Sequence, residues 1–68
     1  MIVSLNGNKV ELPDGATVTD AVHEAGVDGA IRGVAVAVDG EVVRKADWGK
    51  VTLRERQAVE VVRAVQGG

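Results

Sequence analysis

The residues best suited to chemistry are the last four, Val65-Gln66-Gly67-Gly68. Glycine lacks a Cβ, so a Gly-Gly pair lets the backbone pass through a narrow channel and take any φ. With Gly68 as its end, the chain is expected to present a carboxylate that stays ionised at neutral pH. An ionised carboxylate is a poor electrophile and must be activated, most simply as a mixed anhydride with AMP. That step belongs in another protein's ATP site, into which the terminus has to be delivered. The five residues from Ala64, fully extended, reach about 17 Å. A side chain at Gly67 or Gly68 would crowd both the channel and the carbonyl under attack.

The rest of the chain offers little competing chemistry. There is no cysteine, so disulfides and thiolate metal sites are excluded, and any sulfur chemistry must use a thiol from elsewhere. The single histidine, His23, lies beside Val22 with no nameable partner and is expected in solvent. The glycines between Gly26 and Gly33 do not form a phosphate-binding fingerprint, and no Gly-Lys-Ser/Thr follows. No nucleophile–base pair or ligand cluster is visible, so the chain does not read as an enzyme. Its net charge of −2, with mixed signs, argues against a nucleic-acid footprint. No stretch approaches the length of a membrane span. The opening residues lack a basic region followed by an apolar run, so no secretory leader is expected. With cysteine absent, a cytoplasmic location is expected.

At 68 residues the chain is one domain. Ile2–Leu5 reads as a first strand, Asn6-Gly7 as a two-residue hairpin turn and Lys9–Leu12 as the returning strand. Pro13-Asp14-Gly15 is turn chemistry. Val18, Ala21, Val22 and Ala25 share one face of a helix spanning Thr17–Ala25, with Thr17 as N-cap, Asp20 three residues on and Gly26 as the stop. A glycine-punctuated loop over Val27–Gly33 follows. Val34–Val38 alternates Val and Ala and reads as a buried strand, and Asp39-Gly40 turns it into a shorter strand over Glu41–Val43. Ala46–Lys50 is expected to be irregular, with Trp48 covering the edge of the core. Val51–Leu53 reads as extended, Arg54–Gln57 as a polar turn, and Ala58–Arg63 as the last strand with Val59 and Val61 inward. Hairpin, helix, hairpin and final strand imply an α+β fold: a mixed four- to five-stranded sheet with one helix on one face. Residues 1–63 form the domain and 64–68 a flexible tail.

Taken together, the run Gly33-Val34-Ala35-Val36-Ala37-Val38-Asp39-Gly40-Glu41-Val42-Val43, the basic residue and Trp48 after it, Val59-Glu60-Val61-Val62, and the ending Ala64-Val65-Gln66-Gly67-Gly68 resemble the ThiS family of sulfur carriers. The resemblance spans nearly the whole chain and implies the ubiquitin-like β-grasp fold. It implies that a ThiF-like adenylating enzyme uses ATP and Mg²⁺ to adenylate Gly68, with no cofactor bound by the chain itself. A persulfide from a cysteine desulfurase system then replaces AMP and leaves a thiocarboxylate. Thiazole synthase consumes that sulfur with deoxyxylulose 5-phosphate and a glycine-derived imine, in thiamine biosynthesis. Val65, Gln66 and Gly67 would thread into the partner's active site.

Three departures from the family pattern stand out. Asp39-Gly40 replaces Asn-Gly, within the same turn chemistry. Arg44 stands where proline is usual. Glu55-Arg56-Gln57 replaces Glu-Gly-Asp, and since a positive φ at Arg56 would be costly, a different turn geometry is expected there.

Ala35 and Ala37 are expected to face away from the helix. With Val62, and with Val65 towards the tail, they form a candidate docking surface for a partner. Arg44, Lys45, Arg54, Arg56 and Arg63 read as a solvated rim. Two other functions share the fold and the Gly-Gly end. One is a sulfur carrier for molybdopterin, a sulfur-containing amino acid or tRNA thiolation; the other is a ubiquitin-like protein modifier.

Overall fold

Two tight turns frame the fold. The computed structural model describes residues 1–27 and 33–63. Asn6 and Gly7 have φ of 51° and 85°, and Asp39 and Gly40 have 50° and 84°. Positive φ at both central residues is what a two-residue turn needs to match the twist of the strands it joins. The first turn joins β1 (Ile2–Leu5) to β2 (Asn8–Glu11), and the second joins β3 (Val34–Val38) to β4 (Glu41–Val43). The turn pairs Leu5 with Asn8, so β2 begins and ends one residue earlier than the polar–apolar alternation suggests. Leu12 then falls just past the strand and is buried.

The last strand, β5 (Ala58–Arg63), enters the middle of the sheet, giving the order β2-β1-β5-β3-β4. It runs parallel to β1 and antiparallel to β3, so the five-stranded sheet is mixed.

One helix, α1 (Val18–Glu24), lies on one face of this sheet. Its start is capped twice over. The Thr17 N–H donates to the Asp20 carboxylate at 2.8 Å. The N–H groups of Val18 and Thr19, which have no partner inside the helix, donate to the carbonyls of Val51 (3.1 Å) and Trp48 (3.2 Å). Its end is a Schellman turn on Gly26, φ 77°. Gly26 donates to the His23 carbonyl and Val27 to the Val22 carbonyl. His23 is exposed.

Val18, Ala21 and Val22 of the helix meet Val3, Leu5, Val36, Val38, Val59 and Val61 of the sheet, and Leu12, Leu53 and Trp48 close the ends of this core. The segment expected to be irregular instead holds a short 3₁₀ turn over Lys45–Asp47. That turn leads into Trp48, which is buried, 4 % exposed, and belongs to the core. The indole N–H donates to the Val43 carbonyl at 3.0 Å, which satisfies its polar atom. Val51–Leu53 is extended and makes a single bridge, Thr52 to Thr17.

The expectation of a different geometry at Arg56 is overturned: Arg56 adopts φ 68°. Its N–H donates to the Ile2 carbonyl at 2.7 Å, and the Gln57 N–H donates to the Arg54 carbonyl at 3.2 Å. Gln57 returns its side-chain oxygen to the Arg54 N–H at 2.7 Å. These bonds to fixed neighbours hold the left-handed residue in place against its intrinsic preference. Asp39 is tied into the same corner, where its carboxylate accepts from the Ala58 N–H at 2.9 Å and from Gln57 Nε2 at 3.1 Å. The expected loop over Val27–Gly33 lies mostly outside the described residues.

Candidate functional site: the outer sheet face and the root of the tail

Side chains alternate across a strand. With Val59 and Val61 committed to the core, Ala58, Glu60 and Val62 turn to the opposite face of β5. Burial of Val36 and Val38 turns Ala35 and Ala37 the same way on β3. The register then sets Ala35 directly against Val62, and Ala37 against Glu60 on one side and Val42 on the other. Ala35, Ala37 and Val62 are thus brought together on the face away from the helix.

The two alanines are short, so the valines beside them stand clear of the surface. Val62 is 56 % exposed and Val42 75 %. Large aliphatic side chains gain about 25 cal/mol per Å² when removed from water. Leaving these two uncovered at the middle and edge of one sheet is a cost that a partner's surface would remove. Glu60 places one carboxylate within this apolar row.

Val42 and Glu60 were not among the residues singled out from the sequence, although a signal for Val42 was available. A two-residue turn at Asp39-Gly40 fixes the pairing of Val38 with Glu41, and hence of Ala37 with Val42. Arg44, Lys45, Arg54, Arg56 and Arg63 are all exposed. Among the described residues, no group of three or more His, Cys, Asp or Glu is placed to hold a metal ion. Buried polar or charged side chains are likewise absent from them. No helix among them is long and apolar enough to cross a membrane.

β5 runs from the Asp39–Gln57 corner to Arg63, which pairs with Val34. The chain therefore heads for its last residues from the centre of the sheet, beside Ala35 and Val62. Val65, Gln66, Gly67 and Gly68 themselves lie outside the described residues.

Among the described residues, a five-stranded mixed sheet crossed on one face by one α-helix, with a central last strand, defines the ubiquitin-like β-grasp class. The model of the ThiS family matches residues 2–68 of this chain. The chain therefore belongs to the ThiS family of small ubiquitin-like sulfur carriers. Among solved structures, it is similar to the crystal structure of the thiamine biosynthesis protein ThiS from Geobacter metallireducens. The two share 30 % identity and a TM-score of 0.74, each chain being covered in full. It is also similar to a solution structure of a thiamine biosynthesis protein from the same organism. There the identity is 27 % and the TM-score 0.78, over all of this chain and 88 % of the other. No curated protein matches the chain.

Proposed function

We propose that the chain carries sulfur as a thiocarboxylate on Gly68 and delivers it to thiazole formation in thiamine biosynthesis. The observation that carries this reading is the family match, which runs through Gly68 and so includes the Gly-Gly end. In the proposed cycle a ThiF-like enzyme holds ATP and Mg²⁺, and an oxygen of the Gly68 carboxylate attacks the α-phosphorus. Pyrophosphate leaves and an acyl adenylate forms. The terminal sulfur of a persulfide, supplied by a cysteine desulfurase system, displaces AMP. A thiol then attacks the donor sulfur of the resulting acyl disulfide, forms a new disulfide with it and releases the thiocarboxylate. Since this chain has no cysteine, that thiol belongs to a partner or a free reductant.

Residues 1–63 act as the grip. The row Ala35, Ala37, Val42 and Val62 docks on the activating enzyme, and Val65, Gln66 and Gly67 thread Gly68 into its ATP site. Support for this division comes from geometry: the exposed row lies beside the end of the strand that leads into the tail.

The test is isotopic. The chain, charged with heavy sulfur, is given to thiazole synthase with deoxyxylulose 5-phosphate and the glycine-derived imine. Label is expected in the thiazole product. Label that stays on the chain with this synthase but moves to molybdopterin or to tRNA would reassign the pathway. A lysine-linked conjugate of the chain would make it a modifier.

A further inference from the structure

The parallel ladder between β1 and β5 should stop early, because β1 turns away at Asn6. Its regular bonds run from the Ser4 N–H to the Gln57 carbonyl and from the Asn6 N–H to the Val59 carbonyl, both at 2.9 Å. The next bond in this series would reach the Val61 carbonyl, from a strand residue that does not exist because Gly7 has begun the turn. The side chain of Asn6 fills the gap. Its Nδ2 donates to the Val61 carbonyl at 3.3 Å, and its Oδ1 accepts from the Val61 N–H at 2.8 Å. A carboxamide has the same donor and acceptor as a peptide unit, so it continues the ladder by one step.

The step matters because of where it falls. The N–H and C=O of one strand residue point to the same side, so those of Val61 face β1 and are turned away from β3. Beyond Val59, β3 grips β5 on one edge only, and the Asn6 amide supplies the second edge two residues before β5 ends at Arg63.

We propose that Asn6 is a positioning residue: its side-chain amide stands in for a missing length of β1 and aims the end of β5, and with it the tail, at the activating site. The inference rests on the proposed delivery of Gly68 to an adenylating enzyme. It also gives Asn6 a task separate from the turn, where its positive φ is shared by Gly7 and is available to glycine.

The test uses Asn6→Gly, which keeps the turn and loses both side-chain bonds, and Asn6→Asp, which keeps only the acceptor for the Val61 N–H. Thr17→Ala, which removes the hydroxyl's hydrogen bond to the Asp20 carboxylate (3.3 Å) at the start of α1, is the control for simple destabilisation. The readouts are amide hydrogen exchange and steady-state adenylation of the full chain by a ThiF-like enzyme. In Asn6→Gly, exchange at Val61 is expected to accelerate at least about fivefold, the factor one net hydrogen bond represents, while Val3 and Val36 hold. Turnover, kcat, should fall about tenfold with KM within twofold, as expected when docking survives but the reacting group is misaimed. Asn6→Asp should fall between, and Thr17→Ala should keep wild-type kcat.

Unchanged exchange at Val61 would overturn the clamp. Accelerated exchange with unchanged kcat, or an equal loss in Thr17→Ala, would overturn the positioning role. Failure of the wild-type chain to accept AMP would instead sink the proposed function and take the positioning role with it, while the exchange result would still report on the clamp.

Discussion

Arg56→Gly should make this protein more stable, and the size of the gain follows from its surroundings. Arg56 sits at φ 68°, where a residue with a Cβ is disfavoured by about 1–2 kcal/mol. Glycine removes that cost but gives back about 0.5–1 kcal/mol by loosening the unfolded chain. The one bond the turn takes from this residue, N–H to the Ile2 carbonyl, comes from the backbone and survives the change. The arginine side chain is exposed and joins no salt bridge among the described residues. The two figures span a net gain of about 0–1.5 kcal/mol; the midpoint, about 0.8 kcal/mol, is roughly 3–6 °C in Tm for a domain of this size. Urea titration should show a higher midpoint with an unchanged slope. The turn lies before β5 and the tail beyond its other end, so adenylation kinetics should not move. A midpoint equal to or below that of the parent would refute the reasoning and show that the turn is not strained at Arg56.

Two further outcomes are expected from the body of the protein. Ala37→Arg introduces a long cation between Val42 and Glu60 on the outer face; unfolding should shift by less than about 0.5 kcal/mol, while KM with the activating enzyme rises about tenfold or more. Unchanged activation in that variant would remove the outer face from the docking surface. Trp48→Ala empties a buried indole site and frees the Val43 carbonyl, at a cost of about 3–5 kcal/mol. A 68-residue domain has only roughly 3–10 kcal/mol in total, so circular dichroism at 37 °C should show substantial unfolding; a folded variant would contradict the indole's place in the core.

Much of this architecture was legible because its signals are local. Asn6-Gly7 and Asp39-Gly40 specify their turns through two adjacent residues, and the helix declares itself by apolar spacing between Thr17 and Gly26. The inward set of β3 and β5 follows from alternation alone. What was not legible depends on distant partners. No residue type near Arg56 announces a left-handed position; the Gln57–Arg54 bonds close the turn, and the Arg56 N–H is held by the Ile2 carbonyl, more than fifty residues earlier in the chain. The sequence shows Trp48 in a polar stretch, and only the 3₁₀ turn and the Val43 carbonyl explain its burial. The insertion of β5 between β1 and β3 is likewise a non-local pairing. On the outer face, alternation and the Asp39-Gly40 turn are enough to set Ala35, Ala37, Val62 and Val42 side by side, but the exposure of Val42 depends on β4 being an edge strand.

Sulfur chemistry at Gly68 is what the proposed function requires of this protein. The most direct measurement is the intact mass of the chain after incubation with ATP, Mg²⁺, a ThiF-like enzyme and a persulfide donor. It should be made beside a chain carrying one extra alanine after Gly68. The parent is expected to shift by the mass difference between sulfur and oxygen, localised to the Gly67-Gly68 fragment, with the extended chain unchanged. A parent whose mass does not move, or an extended chain that loads sulfur equally well, would contradict it.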